Sequence, residues 1–187
     1  LVGLGNPGSD YTNTRHNIGF KIIDAINLHF KLSKQKPKFK GLLTTGSIEE
    51  KKIYAIKPLT FMNNSGTAIK ELIDYFKIDA KDVIVFHDDM DIDFGKIKAK
   101  FGGSSAGHNG IESIDKFIGK EYSRVRIGIG HPKQKKKVNN HVLEDFKEDE
   151  EEKIKEITEN IVKQIPTLID KKMDLFSSKV NQNLNGI

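Results

Sequence analysis

No cysteine occurs in the 187 residues, which excludes a disulfide scaffold, a thiolate nucleophile and a cysteine-ligated zinc or iron–sulfur centre, and suits a reducing compartment such as the cytoplasm. No apolar run approaches the roughly 20 residues that cross a bilayer, and no basic-then-apolar leader precedes the first glycine turn, so membrane readings drop out. Internal repeats, long linkers and low-complexity tracts are missing as well, which argues for one folding unit over 1–187. The chain opens on Leu1 within a strand-like run and without an initiator methionine, so the first residues of the natural protein are expected to be missing.

What is present is ordinary for a globular chain long enough to enclose its own core: 36% hydrophobic and 30% charged residues,. A net charge of +5 suits a partner that carries phosphates, but the distribution says more than the total. Lys96, Lys98 and Lys100 alternate along one strand-like segment, Lys133–Lys137 forms a basic loop, and Glu144–Glu156 is strongly acidic. A monomer without an obligate protein partner is the default expectation.

Periodicity divides the chain into alternating strands and helices. Leu1–Gly5 reads as a short buried strand and Ser9–Asn17 as a polar loop,. Phe20, Ile22, Ile23, Ile26 and Phe30 recur at helical spacing, and Leu42–Ile48 with Ile53–Lys57 suggest a hairpin,. A helix over Asn63–Phe76 precedes the apolar strand Val83–Phe86, which ends on a polar edge at His87-Asp88-Asp89,. Ile97–Phe101 and Val125–Gly130 read as strands, Gly102–Gly110 as a glycine-rich loop, Ile111–Phe117 as a helix and Asn139–Leu143 as an extended piece,. Two C-terminal helices over about 146–180 are separated at Pro166, with a ragged tail from Asn181 to Ile187,. The pattern predicts an α/β fold: a single three-layer domain with a twisted mixed β-sheet flanked by helices. In such a sheet the site belongs just past strand ends, where the polar clusters after the first strand, after Phe86 and after Phe101 fall.

Three familiar motifs fail on context. Gly3-Leu4-Gly5-Asn6-Pro7-Gly8 matches the dinucleotide fingerprint, but a polar loop separates it from the helix that should offer its N-terminus to pyrophosphate,. Gly102–Gly107 spaces two glycines like a P-loop, yet His108 stands where the phosphate-binding lysine belongs,. Asp89, Asp91 and Asp93 begin like a calcium loop, but Phe94 and Lys100 occupy the glycine and glutamate positions,. No cofactor and no metal are therefore expected.

The polar residues that remain fall in an ordered series: GLGNPGSDYTNTRHNIG (Gly3–Gly19), TFMNNSG (Thr60–Gly66), HDDMD (His87–Asp91), GHNG (Gly107–Gly110) and RVRIGIGHP (Arg124–Pro132). The series resembles the successive signatures of bacterial-type peptidyl-tRNA hydrolases over about the first two-thirds of the chain. One departure is Ser104-Ser105-Ala106, where that family often has glycines or histidine. The resemblance implies a metal-independent ester hydrolase that releases free tRNA and peptide, with His16 as the catalytic histidine and Asp88 as its carboxylate partner. Imidazole suits that task, because its ordinary pKa near 6.5 lets it take a proton from water while a carboxylate fixes its tautomer. By the same resemblance Asn6 and Asn63 hold the peptide side and Asn109 orients the water or the oxyanion. The resemblance further implies that Tyr11, Met62 and His108 line the cleft. Lys100 and Arg126 match a basic pair that clamps the 5′ phosphate of tRNA, with Lys98 and Lys133–Lys137 toward the backbone.

Taken singly, these residues have plainer readings: His16 as a surface or capping histidine, Asp88 as a turn residue, Asn63 as a helix N-cap. His29, His87, His131 and His141 are read as structural or exposed. Two rival functions follow from the same residues. One is a catalytically inactive tRNA-binding protein on the same fold, and the other a nucleotide-dependent oxidoreductase built on Gly3–Gly8.

Overall fold

The computed structural model describes residues 1–132 and 138–184, so the basic loop Lys133–Lys137 and the last three residues lie outside the described part. Its strands are β1 (Val2–Gly3), β2 (Lys36–Lys38), β3 (Gly41–Ile48), β4 (Lys51–Pro58), β5 (Ile84–Asp89), β6 (Ile97–Phe101) and β7 (Ser123–Gly128). They form one mixed sheet in the order β2-β3-β4-β1-β5-β7-β6. The neighbours β4, β1, β5 and β7 run parallel, while β2, β3 and β6 pair antiparallel. The helices are α1 (Ile18–His29), α2 (Ser65–Phe76), α3 (Asn109–Ile118), α4 (Val138–His141), α5 (Glu148–Lys163), α6 (Ile165–Ile169) and α7 (Met173–Leu184).

Three layers result. Apolar residues of α1, α5 and α7 (Ile22, Ile26, Ile157, Ile161, Phe176) pack with Ile84, Phe86, Val125 and Ile127 on one face of the sheet. On the other face Ile69 and Leu72 of α2 and Ile111 and Ile114 of α3 cover Val2 and Val85. Alternation along β5 sends Ile84 and Phe86 one way and Val85 the other, and burial on both faces explains the unbroken apolar run of that strand. No helix among the described residues is long and apolar enough to cross a membrane.

Several sequence expectations change. Strand β5 does not stop at Phe86 but continues through His87, Asp88 and Asp89, all buried; hydrogen bonding to β7 over the whole length holds these polar groups inside the sheet. The expected extended piece at Asn139–Leu143 is mostly the helical turn α4. Among the described residues beyond Phe146 there are three helices: the expected break at Pro166 is present, with the proline in the first turn of α6 where its missing N–H costs nothing, and a second break, at Lys171 with φ 62°, separates α6 from α7,. Helix α7 runs on to Leu184, and its side chains close the outer edge of β6. Asn181 accepts from Ile97 N–H at 2.9 Å and donates to Ile97 C=O at 2.8 Å, and Ser177 Oγ accepts from Ala99 N–H at 2.8 Å. An edge that would otherwise be open is thus paired by a helix.

Candidate active site

At the C-terminal ends of β1, β4 and β5 lies a cleft of about 440 Å³ lined by Asn6, His16, Phe61, Met62, Asn63, Asp88, His108, Asn109, Val142 and Leu143, among others. Three larger hollows, about 500, 620 and 490 Å³, lie at the opposite sheet end, between α1 and α5, and beside Arg15 and His141. Chemistry rather than volume separates them: among the described residues, the buried contacts between histidine and carboxylate belong to the first cleft.

The approach of α1 to β1 sets the position of His16. A Cβ on Gly3 would stand 2.2 Å from Gly19 O, and one on Gly19 would stand 2.3 Å from Leu4 N and 2.5 Å from Phe86 O. Two bare backbones are therefore required where strand meets helix, which explains why the opening segment imitates a nucleotide fingerprint. The expected polar loop Ser9–Asn17 contains two short 3-10 turns, and Thr14, Arg15, His16 and Asn17 are buried in it. His16 N–H donates to Val142 C=O at 2.8 Å, and Arg15 N–H to Glu144 C=O at 3.1 Å. Arg15 further donates to Glu150 at 2.7 Å and lies 5.4 Å from the centre of the Phe146 ring, tying this turn to α5.

His16 Nδ1 donates to Asp88 Oδ1 at 2.8 Å. His108 meets the same oxygen through Nε2 at 3.0 Å, and its Nδ1 accepts from the N–H groups of Gly110 and Ile111 at 3.1 and 3.3 Å, capping α3. Since Nδ1 of His108 must accept, its ring proton lies on Nε2 and points at Asp88. Asp88 Oδ1 thus receives two N–H donors, and His16 keeps Nε2 for other work. Burial alone would raise the Asp88 pKa, but the facing His16 and His108 hold it well below the usual carboxylate range. Burial opposes charge on His16 too, yet the Asp88 carboxylate prevails and raises its pKa above the ordinary 6.5,. His16, Asp88 and His108 each offer one ligand atom within 4.8 Å of the others, and among the described residues they are the one cluster of three or more histidine and acidic side chains able to hold a metal. Here they are satisfied by their mutual hydrogen bonds.

The structure brings most of the expected residues together, in unequal ways. Asn6 Oδ1 accepts from Met62 N–H at 2.8 Å, and Asn17 clasps the Asn6 backbone with bonds of 2.8 and 3.0 Å. Asn63 and Asn109 are exposed in the cleft, Asn63 within a 3-10 turn ahead of α2 and Asn109 as the first residue of α3. Tyr11 is not among the lining residues; it stands edge-on to Phe61, with ring centres 6.5 Å apart. His87 is buried, not exposed, and burial pushes its pKa well below 6.5.

Strand β6 ends at Phe101, which pairs with Ser123 at the start of β7, so its end faces away from the cleft. The glycine loop must cross back over the sheet. Arg124 anchors it midway, donating to Ser104 C=O at 2.8 Å and to Asp115 at 2.7 Å. Register places Lys98 opposite Arg126 and Lys100 opposite Arg124, so four basic side chains share one face beside the cleft. Arg124 and Asn17 were not singled out from sequence. Arg124 lies inside a recognised motif, but nothing local distinguishes a buried anchoring arginine from a surface one.

The family model described as peptidyl-tRNA hydrolase matches residues 1–186. A peptidyl-tRNA hydrolase of Pelagibacter ubique is 73% identical over 181 residues, covering 97% of this chain and 97% of that protein. One from Ehrlichia ruminantium is 46% identical over 180 residues, covering 96% and 92%. Among solved structures, the peptidyl-tRNA hydrolase of Acinetobacter baumannii superposes with a TM-score of 0.90 at 34% identity, covering 96% of this chain and 92% of that one.

Proposed function

The chain belongs to the peptidyl-tRNA hydrolase family and is a hydrolase of peptidyl-tRNA, and from that premise we propose that His16 is its general base and Asp88 the carboxylate that orients it. The observation that carries this reading is the 2.8 Å bond from His16 Nδ1 to Asp88 Oδ1, which leaves Nε2 as the basic nitrogen in the cleft. His16 Nε2 takes a proton from water as its oxygen attacks the ester carbonyl. The tetrahedral intermediate then collapses, the C–O bond to the terminal ribose breaks, and the ribose oxygen receives the proton from the imidazolium. Free tRNA and a peptide carboxylate result.

Asn109 supplies an amide to the water or the oxyanion, while Asn6, Met62 and Asn63 receive the peptide side. Asn6 does so partly through Met62, whose backbone it fixes. Tyr11 contributes by bracing Phe61 at the rim. Both nitrogens of His108 are engaged, which favours an action through Asp88 over contact with substrate. Lys98, Lys100 and Arg126 offer the 5′ phosphate and adjoining backbone a cationic face; these contacts read charge and shape, not base sequence.

The test is release of peptide from N-acetyl-aminoacyl-tRNA by wild type and His16→Ala. A fall of about a hundred- to ten-thousandfold in turnover is expected, with tRNA binding retained; equal rates would remove His16 as the base.

A further inference from the structure

Four cations on one sheet face need an answer, because like charges directly opposite one another across strands repel. Lys98 faces Arg126 and Lys100 faces Arg124 in register. Two carboxylates reply, and they do different things. Asp115 holds Arg124, which also donates to Ser104 C=O, lies over the Tyr122 ring at 4.6 Å and is 1% exposed. That arginine is used up by the fold. Arg126 instead gives only its Nε to Asp89 Oδ2, at 2.6 Å, and its side chain is 19% exposed. Among the described residues nothing else accepts from its guanidinium, so the two terminal nitrogens remain for a ligand.

Asp89 is itself rigidly held. It is buried in β5, and its other oxygen accepts from Asp91 N–H at 2.9 Å. Alternation along the strand sends Asp88 toward His16 and Asp89 to the opposite face, toward Arg126. We propose that Asp89 is a positioning residue that aims Arg126 at the 5′ phosphate of the substrate, so that consecutive carboxylates on one strand serve the ester and the phosphate. This rests on the reading of Lys100 and Arg126 as the phosphate clamp. A guanidinium held by Nε presents its remaining N–H groups as a fixed fork, the geometry that a phosphate accepts in pairs. Burial, then Arg126 and Arg124, lower the Lys100 pKa, and Asp89 opposes them in part.

The experiment compares peptidyl-tRNA carrying a 5′ phosphate with the same substrate dephosphorylated to a 5′ hydroxyl, on wild type, Arg126→Ala, Asp89→Asn and Arg126→Lys. Asparagine can still accept from Asp91 N–H, but it then turns an amide donor toward Arg126. Wild type should prefer the phosphorylated substrate by about tenfold, through KM. Arg126→Ala and Asp89→Asn should both lose most of that preference, and Arg126→Lys, which keeps the charge without the fork, should lose part of it. Retention of full preference by Asp89→Asn overturns the role of Asp89 and leaves the clamp standing. Absence of preference in wild type overturns both. Should Asp89→Asn not fold, full preference in Arg126→Lys overturns the proposal by itself.

Discussion

Asp88 Oδ1 accepts from His16 at 2.8 Å and from His108 at 3.0 Å, so one carboxylate oxygen divides its charge between two imidazoles. That division has a consequence for pH dependence. His108→Asn keeps a side chain able to cap α3 but too short to reach Asp88, and the undivided charge then falls on His16. The acid limb of kcat/KM should move to higher pH, and the rate at neutral pH should fall about tenfold or more with the loss of a charge-assisted hydrogen bond. A limb that stays in place would mean that His108 acts elsewhere, for instance directly on the peptide. At this scale the residues read singly were informative about chemical type, and the pairing of His16 with Asp88 came from the family resemblance alone. His16 and Asp88 are separated by 72 positions, and neither has a local signal stronger than that of a capping histidine or a turn aspartate.

At the scale of elements, the junction of α1 with β1 holds His16 above β5. Gly19→Ala places opposite effects in competition. Alanine gains about 1 kcal/mol over glycine in a helix interior, but its Cβ would stand 2.3 Å from Leu4 N and 2.5 Å from Phe86 O, backbone atoms that cannot swing aside. Overpacking of this kind costs about 1–3 kcal/mol or more, so the variant should be net destabilised, with a lower urea midpoint and reduced turnover. A higher midpoint would show that the contact is slack. The elements themselves were largely legible: α1, the β3–β4 hairpin, α2, β5, β6 and β7 follow from periodicity. The misreadings share a cause. The inward continuation of β5 through His87-Asp88-Asp89, the buried turn Thr14–Asn17 and the helical turn α4 are polar segments whose conformation is fixed by distant partners, such as Val142 C=O for His16 and β7 for Asp88. A local pattern cannot register them. The break at Pro166 was legible, but the one between α6 and α7 was not, because it turns on the left-handed backbone of Lys171, a residue with no turn signal.

Across the whole molecule, the sheet brings the sites proposed for ester chemistry and for phosphate recognition to adjoining regions. One end of β5 presents Asp88 to the cleft and Asp89 to the basic face formed by β6 and β7, and α7 holds the outer edge of β6 in place through Asn181 and Ser177. The sequence announced the lysines of β6 and a C-terminal helix, but not that the second braces the first, since no charge or periodicity links Asn181 to Ile97.

The most direct test of the His16–Asp88 pair is the pH dependence of kcat/KM on intact peptidyl-tRNA, measured for wild type and Asp88→Asn. As the proposed general base His16 acts in its neutral form, and Asp88 raises its pKa above 6.5, so wild-type activity should climb with pH to a plateau through a midpoint above that value. Asp88→Asn removes the countercharge and leaves burial to dominate; the midpoint should shift below 6.5, while the plateau falls about a hundred- to ten-thousandfold. An acid limb at the same pH in both proteins, or a variant with the wild-type plateau, would contradict the pair.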